Sequence, residues 1–412
     1  MKRSYYGWLI VFAAFLILFV TNGLTFVGLT VFDETILNHF EWSRSTLKLR
    51  DLVTFATAGL IAPLAGALAD KYGVRILMAI GAMLLSVGLF LYPKIATPQD
   101  LYLIHFLFGL CLASCGMIVC VMLVSRWFVR RRGTAIGLAM VGTSLGSSLF
   151  PIINSQLLAN FGWKISFEML SVLPVALLPI IIFAVREHPA IGIPLAEKHK
   201  SGENHSNILE FTYSAAIKTR AFWTLAFTAM ITFFCLMGIT SHLFLHLRGL
   251  NFEPSKAANV VGLVFAMGLI GKLLFGLLSD YLNPKKVFRI NLFVMFLGTA
   301  LLATQKQALI MPFVILFGLG WGGLYTMLQL MSVSLFGTRS AGKIIGSITL
   351  LDAIGGGLGP WTMGLFFDKQ GNYGNAFFLA SGLVIVAFLV SFLLKSPQKN
   401  EQPELKLAGE KL

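Results

Sequence analysis

Long apolar runs, separated by short polar segments, occupy most of the chain. A transmembrane α-helix needs about 20 consecutive apolar residues to cross the hydrocarbon core of a bilayer. Twelve runs reach that length and are called spans 1 to 12; they lie at about residues 7–28, 46–69, 74–93, 101–125, 134–159, 165–186, 220–246, 256–279, 287–304, 308–335, 343–367 and 375–394. The pattern predicts an all-α membrane protein with twelve transmembrane helices.

A single long polar stretch interrupts this pattern in the middle of the chain. Residues 187–219 separate span 6 from span 7, and another polar segment follows span 12. We therefore divide the chain into an N-terminal six-helix half at 1–186, a cytoplasmic linker at 187–219, a C-terminal half at 220–395 and a cytoplasmic tail at 396–412.

The two halves carry an internal repeat. Gly66 and Asp70 at the end of span 2 recur 210 positions later, at the end of span 8, as Gly276 and Asp280. Five positions around span 5 recur 209 positions later, around span 11: Gly133 and Gly342, Gly137 and Gly346, Gly146 and Gly355, Pro151 and Pro360, Gly162 and Gly371. Coincidences at nearly one offset predict two pseudo-symmetric halves with the same helix order.

Composition and charge agree with a membrane location. Hydrophobic residues make up 57% of the chain and charged residues only 12%, whereas soluble domains carry about 25% charged residues. The net charge is +14, and we place 22 of the 32 Lys and Arg residues in the N-terminus, the even-numbered loops and the C-terminal tail. This bias predicts an inner-membrane protein with both termini in the cytoplasm, so the charge indicates topology and not nucleic-acid binding.

The segment between spans 2 and 3 carries a recognisable motif. Residues 66–75 read GALADKYGVR, which resembles the loop signature of the major facilitator superfamily. The resemblance implies two six-helix halves that rock around a central site, giving alternating access without a cofactor. In this interpretation Gly66, Asp70 and Arg75 act in conformational gating at the cytoplasmic side.

Further motifs resemble one group within that superfamily, the monocarboxylate porters and oxalate:formate antiporters. They are Tyr6-Gly7-Trp8, Trp42-Ser43-Arg44, Arg126-Trp127-Phe128 with Arg130 to Arg132, the run from Gly142 to Gly146, and Gly162-Trp163. The resemblance implies a secondary transporter, not an enzyme, that moves a small organic anion by proton symport or anion exchange. We expect it to work as a monomer in the lipid bilayer.

Two other functions stay open. The spans are rich in Phe and Met, which would also suit a larger ligand such as a polycarboxylate siderophore or an amphipathic drug. A non-transporting receptor or an intramembrane enzyme would need a soluble domain or a catalytic pair, and the sequence indicates neither. The pattern G-x-S-x-G at 142–146 lies in an apolar helix, so we interpret it as helix packing and not as a nucleophile turn.

Two ionisable residues lie deep inside predicted spans, where charges are costly and usually functional. Lys272 lies about 12 Å from the cytoplasmic end of span 8, and Asp352 about 13 Å from that of span 11. We expect them to pair in the empty cavity, so that an anion competes for Lys272 or Asp352 takes a proton; the alternative is a structural ion pair that locks the two helices together. The family resemblance implies that Lys272 binds the substrate carboxylate, although Gly268 and Val27 depart from the family's other charged positions.

Lys48, Arg50 and Asp51 crowd the outer end of span 2. Arg50 is either a substrate contact or an interfacial anchor, and we expect that it cannot face its neighbour Asp51. His105 in span 4 is either a proton-coupling group or a hydrogen-bonded packing residue. Three polar residues inside spans are candidate substrate contacts or interhelical hydrogen-bonding groups: Asn22, Tyr325 and Gln329.

Glycines are frequent in spans 2, 5, 8 and 11, where small side chains allow close helix contacts. We interpret Gly142, Gly146, Gly355 and Gly359 as gating positions at sliding contacts. His242 and His246 are four residues apart in span 7, but no acidic or Cys partner is near in sequence, so the chain predicts no metal site.

Overall fold

The computed structural model describes residues 2–128, 132–186, 211–337 and 340–394. Within these ranges the chain is almost entirely helical, and twelve helices are long enough to span a membrane. They are α1 Lys2–Thr25, α2 Arg44–Tyr72, α3 Val74–Leu91, α4 Pro98–Cys115 with its continuation Met117–Trp127, α5 132–161, α6 163–184, α7 Arg220–Gly249, α8 Pro254–Tyr281, α9 Pro284–Ala303, α10 Ile310–Phe336, α11 Ala341–Gln370 and α12 Gly374–Val390. The predicted number of transmembrane helices is confirmed.

The connections refine the predicted boundaries. One continuous stretch, Arg132–Ala184, contains both α5 and α6, and it is divided at Gly162, whose φ of 72° favours glycine. At the other end of the chain, Gly371 with φ 71° ends α11. We use "outer" for the membrane side on which α1 ends and α2 begins, and "inner" for the side that carries the chain termini.

The first span continues further than predicted. After α1, a 3₁₀ segment Val27–Phe32 leads into a short helix, Asp33–Phe40, which we call the outer helix. The sequence pattern ended span 1 near residue 28, because the acidic pair Asp33 and Glu34 breaks the apolar run. The added turns place this acidic pair at the outer end of the molecule, next to α2 and α7.

Each half has its own hydrophobic core. One core is built from residues between Ile10 and Val185, and the other from residues between Phe211 and Leu394. Phe26, Val27 and Val31 belong to the N-terminal half by sequence but pack into the core of the C-terminal half. The two halves are therefore in direct apolar contact at the outer end.

Equivalent glycine seams hold each half together. A Cβ on Gly142 or Gly146 of α5 would overlap the carbonyl oxygens of Phe15 and Phe19 in α1. In the second half, a Cβ on Gly355 or Gly359 of α11 would overlap the carbonyl oxygens of the α7 residues Met230 and Phe234. These four glycines pack helices within a half, whereas we expected them at sliding contacts.

The seams also correct the register of the repeat. By its contacts Gly142 corresponds to Gly355, and Gly146 corresponds to Gly359. The offset here is 213, one helical turn away from the 209 that aligned Gly146 with Gly355, because α5 has four more residues than α11 between its seam and its terminal glycine. The offset of 209 holds for the helix ends, Gly162 and Gly371, which both have positive φ.

A different set of glycines lies where the halves meet. In α2, Gly59 lies against Ala353 of α11, where a Cβ added to the glycine would be 3.3 Å from the Ala353 Cβ. Gly357 and Gly364 of α11 pack against the α2 residues Leu52 and Ser45, and Gly262 of α8 packs on the Ser148 carbonyl of α5. The interface between the halves is therefore formed by α2 with α11 and by α5 with α8.

Candidate functional site

The outer end of α2 carries a buried charge cluster. Asp33 of the outer helix accepts from Lys48 Nζ at 2.5 Å and from an Arg50 nitrogen at 2.5 Å. All three side chains are at most 1% exposed. Burying one of these charges alone would cost several kcal/mol, so Asp33 compensates one of the two cations, and the second negative charge comes from Asp51, which is 3.6 Å from Arg50 Nε. Together with Asp51, the outer helix thus makes a lysine and an arginine tolerable in this span.

Ser241 of α7 connects this cluster to the other half. Its backbone carbonyl accepts from Lys48 Nζ at 2.6 Å, and its hydroxyl donates to Asp51 at 2.7 Å. Nearer the surface, Arg248 of α7 forms a 2.6 Å ion pair with Glu34 of the outer helix. These bonds hold α7 against α2 and the outer helix.

The first turn of α2 is bound by the end of α11. The backbone N–H groups of Arg44 and Ser45 donate to the two Asp368 carboxylate oxygens at 2.9 and 2.8 Å. A carboxylate at a helix N-terminus satisfies free N–H groups and interacts favourably with the helix dipole. Here that carboxylate comes from the opposite half, so the contact exists only while the outer ends are together.

A chain of side chains extends this contact into α7. The Arg44 guanidinium donates to the Tyr373 hydroxyl and lies 3.4 Å from the centre of the Phe367 ring. His242 Nε2 lies 2.8 Å from the Pro360 carbonyl, which can only accept. His242 Nδ1 is therefore the acceptor for the Tyr373 hydroxyl at 2.8 Å, and both ring nitrogens are used in hydrogen bonds.

Arg50 and His105 belong to the same buried network. The Tyr92 hydroxyl accepts from Arg50 at 3.0 Å and lies 3.3 Å from His105 Nε2, while His105 Nδ1 is 2.8 Å from the Thr54 hydroxyl. Arg50 is 1% exposed, so it is not an interfacial anchor. Its Nε also lies 3.6 Å from the carboxylate of Asp51. The expectation that these neighbours cannot face each other was wrong, because the arginine side chain is long enough for its Nε to reach the Asp51 carboxylate.

A second contact between the halves lies at mid-depth, around Lys272 of α8. This residue is nine positions from the inner end of the helix at Tyr281, about 13 Å along its axis. Its Nζ donates to the α5 hydroxyls of Ser144 at 2.7 Å and Thr143 at 3.4 Å. The ammonium also lies 5.4 and 5.6 Å from the ring centres of two α10 aromatics, Trp321 and Tyr325.

The expected ion pair between Lys272 and Asp352 is not formed. Within the described residues Lys272 has no carboxylate oxygen within 4 Å, and Asp352 has no cation within that distance. Asp352 is 9% exposed, and its Oδ1 has no hydrogen-bond partner among the described residues. Lys272 donates instead to hydroxyls of α5 in the opposite half.

The other candidate residues lie on three different helices, α1, α10 and α3. Asn22 of α1 is partly buried, and its Nδ2 lacks a hydrogen-bond partner in the described ranges. Tyr325 packs against Phe233, and Gln329 one turn later is exposed. Arg75 donates to the Val185 carbonyl at 2.6 Å, which joins α3 to the end of α6 within the same half.

Two gating candidates lie beyond what the structure describes in atomic detail. The surroundings of Gly66 and Asp70 are outside the described part, as are Gly133 and Gly342 of the repeat. The linker from 187 to 210 and the tail from residue 395 are also outside it. The predicted roles of Gly66 and Asp70 therefore stay predictions.

Sequence reasoning missed most partners in the outer network. Asp33 carried the strongest signal among them, because two cations at the start of an apolar span require a nearby acid, and Asp33 and Glu34 are close upstream. Tyr92, Ser241 and Tyr373 gave no signal, since isolated hydroxyl groups are common within membrane helices and in the turns beside them. Ser144 was noticed only as part of a packing motif.

Comparisons with known proteins show the family to which the chain belongs. Residues 8–360 match the Major Facilitator Superfamily. Monocarboxylate transporter 13 of Bos taurus is 26% identical over 96% of this chain and 92% of its own length. The uncharacterized MFS-type transporter YcxA of Bacillus subtilis (strain 168) is 24% identical over 86% of this chain and 85% of its own. The resemblance inferred from the sequence motifs is confirmed.

Solved structures show the same fold. A bacterial homolog of the human lysosomal transporter Spinster, in an inward-facing and unoccupied conformation, matches with a TM-score of 0.74 over 95% of this chain and 96% of its own, at 17% identity. A structure of the nucleoside transporter NupG matches with a TM-score of 0.73 over 93% of this chain and 99% of its own, at 14% identity.

Proposed function

Because the chain belongs to the Major Facilitator Superfamily, and is thus a multi-pass membrane transporter of a small molecule and not an enzyme, we propose that its substrate is a small organic anion. A carboxylate is the first candidate, moved by proton symport or by exchange for another anion. The monocarboxylate transporters among the relatives support this substrate class. Because these two relatives are only 26% and 23% identical to this chain, the substrate class is argued from the side chains of the site.

The proposal is supported mainly by the surroundings of the Lys272 ammonium group. It is an ammonium at mid-depth between the halves, partly exposed, with two hydroxyls and two aromatic rings around it. Hydroxyls and ring faces accept from a cation but do not neutralise it. A counter-ion strongly stabilises a charged side chain inside a membrane, and an anionic substrate would supply that counter-ion.

Asp352 is the candidate proton carrier. Among the described residues Asp352 has no cation within 4 Å and no partner for its Oδ1, and a buried carboxylate in such surroundings is most stable when protonated. In symport, the proton on Asp352 and the anion on Lys272 would cross together, so the loaded carrier would be neutral at both positions. In exchange, the anion alone would permit the conformational change.

The contacts between the halves suit alternating access. In this structure the outer end is closed by the bonds of Ser241, Arg248 and Asp368. Opening that end requires these bonds to break while the Asp33 cluster stays intact inside the N-terminal half. We place the inner side in the cytoplasm of an inner-membrane protein, with both termini there, and expect a monomer.

Uptake into proteoliposomes tests this function. Purified protein is reconstituted, and uptake of labelled mono- and dicarboxylates is measured with and without an inward proton gradient, for the wild type, Lys272→Arg and Lys272→Gln. We expect uptake of at least one carboxylate, retained in part by the arginine variant and lost in the glutamine variant. Equal uptake by the wild type and Lys272→Gln would contradict the proposal.

A further inference from the structure

Trp321 of α10 occupies space that a missing side chain leaves open on α8. Gly268 lies one turn before Lys272, and a Cβ built on it would be 2.5 Å from Trp321 Nε1 and 2.7 Å from Cε2. Any other residue at position 268 would push the indole away. The N–H edge of this tryptophan therefore reaches α8 beside Lys272 only because residue 268 is glycine.

This indole N–H has no hydrogen-bond partner within the part of the chain that the structure describes. Trp321 is 6% exposed, and a buried tryptophan N–H is normally paired. Leaving a buried donor unpaired is unfavourable, so the arrangement calls for an acceptor that the described residues do not provide. The ring centre lies 5.4 Å from Lys272 Nζ, so the free donor and the ammonium share one region.

Aromatic neighbours hold the indole in this position. Phe265 of α8 packs edge-on against Trp321 at 5.4 Å between ring centres and 69° between planes. Tyr325, one turn along α10, packs at 6.2 Å and 85°. A donor fixed by such packing loses little conformational freedom when a ligand arrives.

We infer that the Trp321 N–H is the second donor of the anion site. Lys272 binds one oxygen of the substrate, and the indole N–H donates to another oxygen of the same molecule. Two separated donors favour an anion with two oxygens, such as a carboxylate, over a spherical anion such as chloride. This inference rests on the proposed function and makes Trp321 a specificity-determining residue.

Two substitutions test the role of the Trp321 N–H, one by removing it and the other by displacing it. Trp321→Phe keeps an aromatic ring and removes the N–H, while Gly268→Ala keeps the N–H and displaces it. Both are expected to weaken binding of the best carboxylate about tenfold and to leave any chloride binding unchanged. Trp223→Phe is the matched control, because that indole is 57% exposed and donates to the Ile217 carbonyl far from the site.

A spectroscopic measurement separates ligand contact from a packing role. The chain has seven tryptophans, and the indole N–H signal that disappears in Trp321→Phe identifies residue 321 in ¹⁵N-labelled protein. Adding the carboxylate to the wild type should shift this signal downfield, as expected for a new hydrogen bond, and should not do so in Lys272→Gln.

The outcomes distinguish this inference from the proposed function. If Trp321→Phe and Gly268→Ala bind the carboxylate as the wild type does, while Lys272→Gln does not, the role of Trp321 is refuted and the anion site stands. If no carboxylate binds the wild-type protein, the proposed function fails and the inference fails with it. An unchanged indole signal at saturating carboxylate also refutes the inference.

Discussion

Lys48 and Lys272 are both lysines inside the membrane, yet their ammonium groups are satisfied in different ways. Lys48 is fully buried and has a carboxylate partner, Asp33, and a backbone carbonyl. Lys272 is partly exposed, and among the described residues it donates to hydroxyls only. Complete pairing is typical of a structural group, and incomplete pairing is typical of a group that awaits a ligand.

The same contrast predicts a structural role for Arg50. Arg50→Gln and Asp33→Asn should each lower the free energy of unfolding by about 3–5 kcal/mol, since each leaves the buried cluster of two cations and two carboxylates with one unbalanced charge. The double substitution should recover part of that loss, because both charges are then removed. Thermal unfolding of the detergent-purified variants measures both effects. Wild-type stability of Arg50→Gln with lost carboxylate binding would instead make Arg50 a substrate contact.

Asp352 should couple transport to protons. Asp352→Asn cannot release a proton, so accumulation driven by an inward proton gradient should be lost while exchange of internal for external carboxylate continues. Counterflow and gradient-driven uptake in the same proteoliposomes measure the two activities. Glu253→Gln, which changes an exposed carboxylate just before α8, serves as control and should retain both. Full gradient-driven uptake by Asp352→Asn would exclude this role.

At the scale of helices, the glycines of α11 serve two interfaces. Gly355 faces α7 inside its own half, whereas Gly357 faces Leu52 of α2 in the other half, where a Cβ added to the glycine would lie 2.7 Å from Leu52 Cδ1. The two residues are two positions apart in sequence but point to different helices. Packing inside a half supports the fold, and packing between halves supports one conformation of the transport cycle.

This difference gives a matched pair of substitutions. Gly355→Ala should lower the melting temperature, because its Cβ overlaps the Met230 carbonyl and the backbone must move. Gly357→Ala should leave the melting temperature largely unchanged, because the Leu52 side chain can move away from the added methyl group. It should slow transport, because α2 and α11 then pack less closely in the outer-closed state. Melting curves and uptake rates of both variants test this. Identical effects in the two variants would argue against separate roles.

The helices were predictable because twenty-residue apolar runs leave few alternatives to spanning helices. The outer helix was not, since Asp33 and Glu34 make its local sequence look like a loop, and only contact with Lys48, Arg50 and Arg248 explains its position. Lys272 was predicted as a site residue from its depth. Its Ser144 contact was not, because nothing in the pattern indicates which face of α5 meets α8.

At the scale of the whole molecule, polar contacts among the described residues join the halves at two levels, in addition to the apolar packing between them. The outer level consists of charged bonds on the α2, α7 and α11 ends, and the middle level is the Lys272 contact with α5. In an alternating-access cycle the outer level must separate while the substrate occupies the middle one. The outer bonds therefore form only in the outer-closed state, whereas the Lys272 site is used in both the outer-open and the outer-closed states.

Locking the outer level should stop the cycle. Glu34 and Arg248 are partly exposed and their long side chains meet at 2.6 Å, so cysteines at both positions should be joined by a short bifunctional methanethiosulfonate reagent that spans the space of the two side chains. The four native cysteines are buried and unpaired by disulfides, which limits side reactions. We expect the crosslink to abolish uptake and a reductant to restore it, with each single cysteine variant unaffected by the reagent. Undiminished uptake by the crosslinked protein would show that this end does not open.

The central claim is that Lys272 binds a carboxylate, and ligand-induced thermal stabilisation tests it most directly. A ligand present at 100 times its Kd stabilises the folded protein by about 2.7 kcal/mol. We predict that one member of a panel of mono-, di- and tricarboxylates raises the Tm of the wild type, and that this rise disappears in Lys272→Gln. No rise with any carboxylate, or an equal rise in both proteins, would contradict the claim and leave Lys272 as a structural contact between the halves.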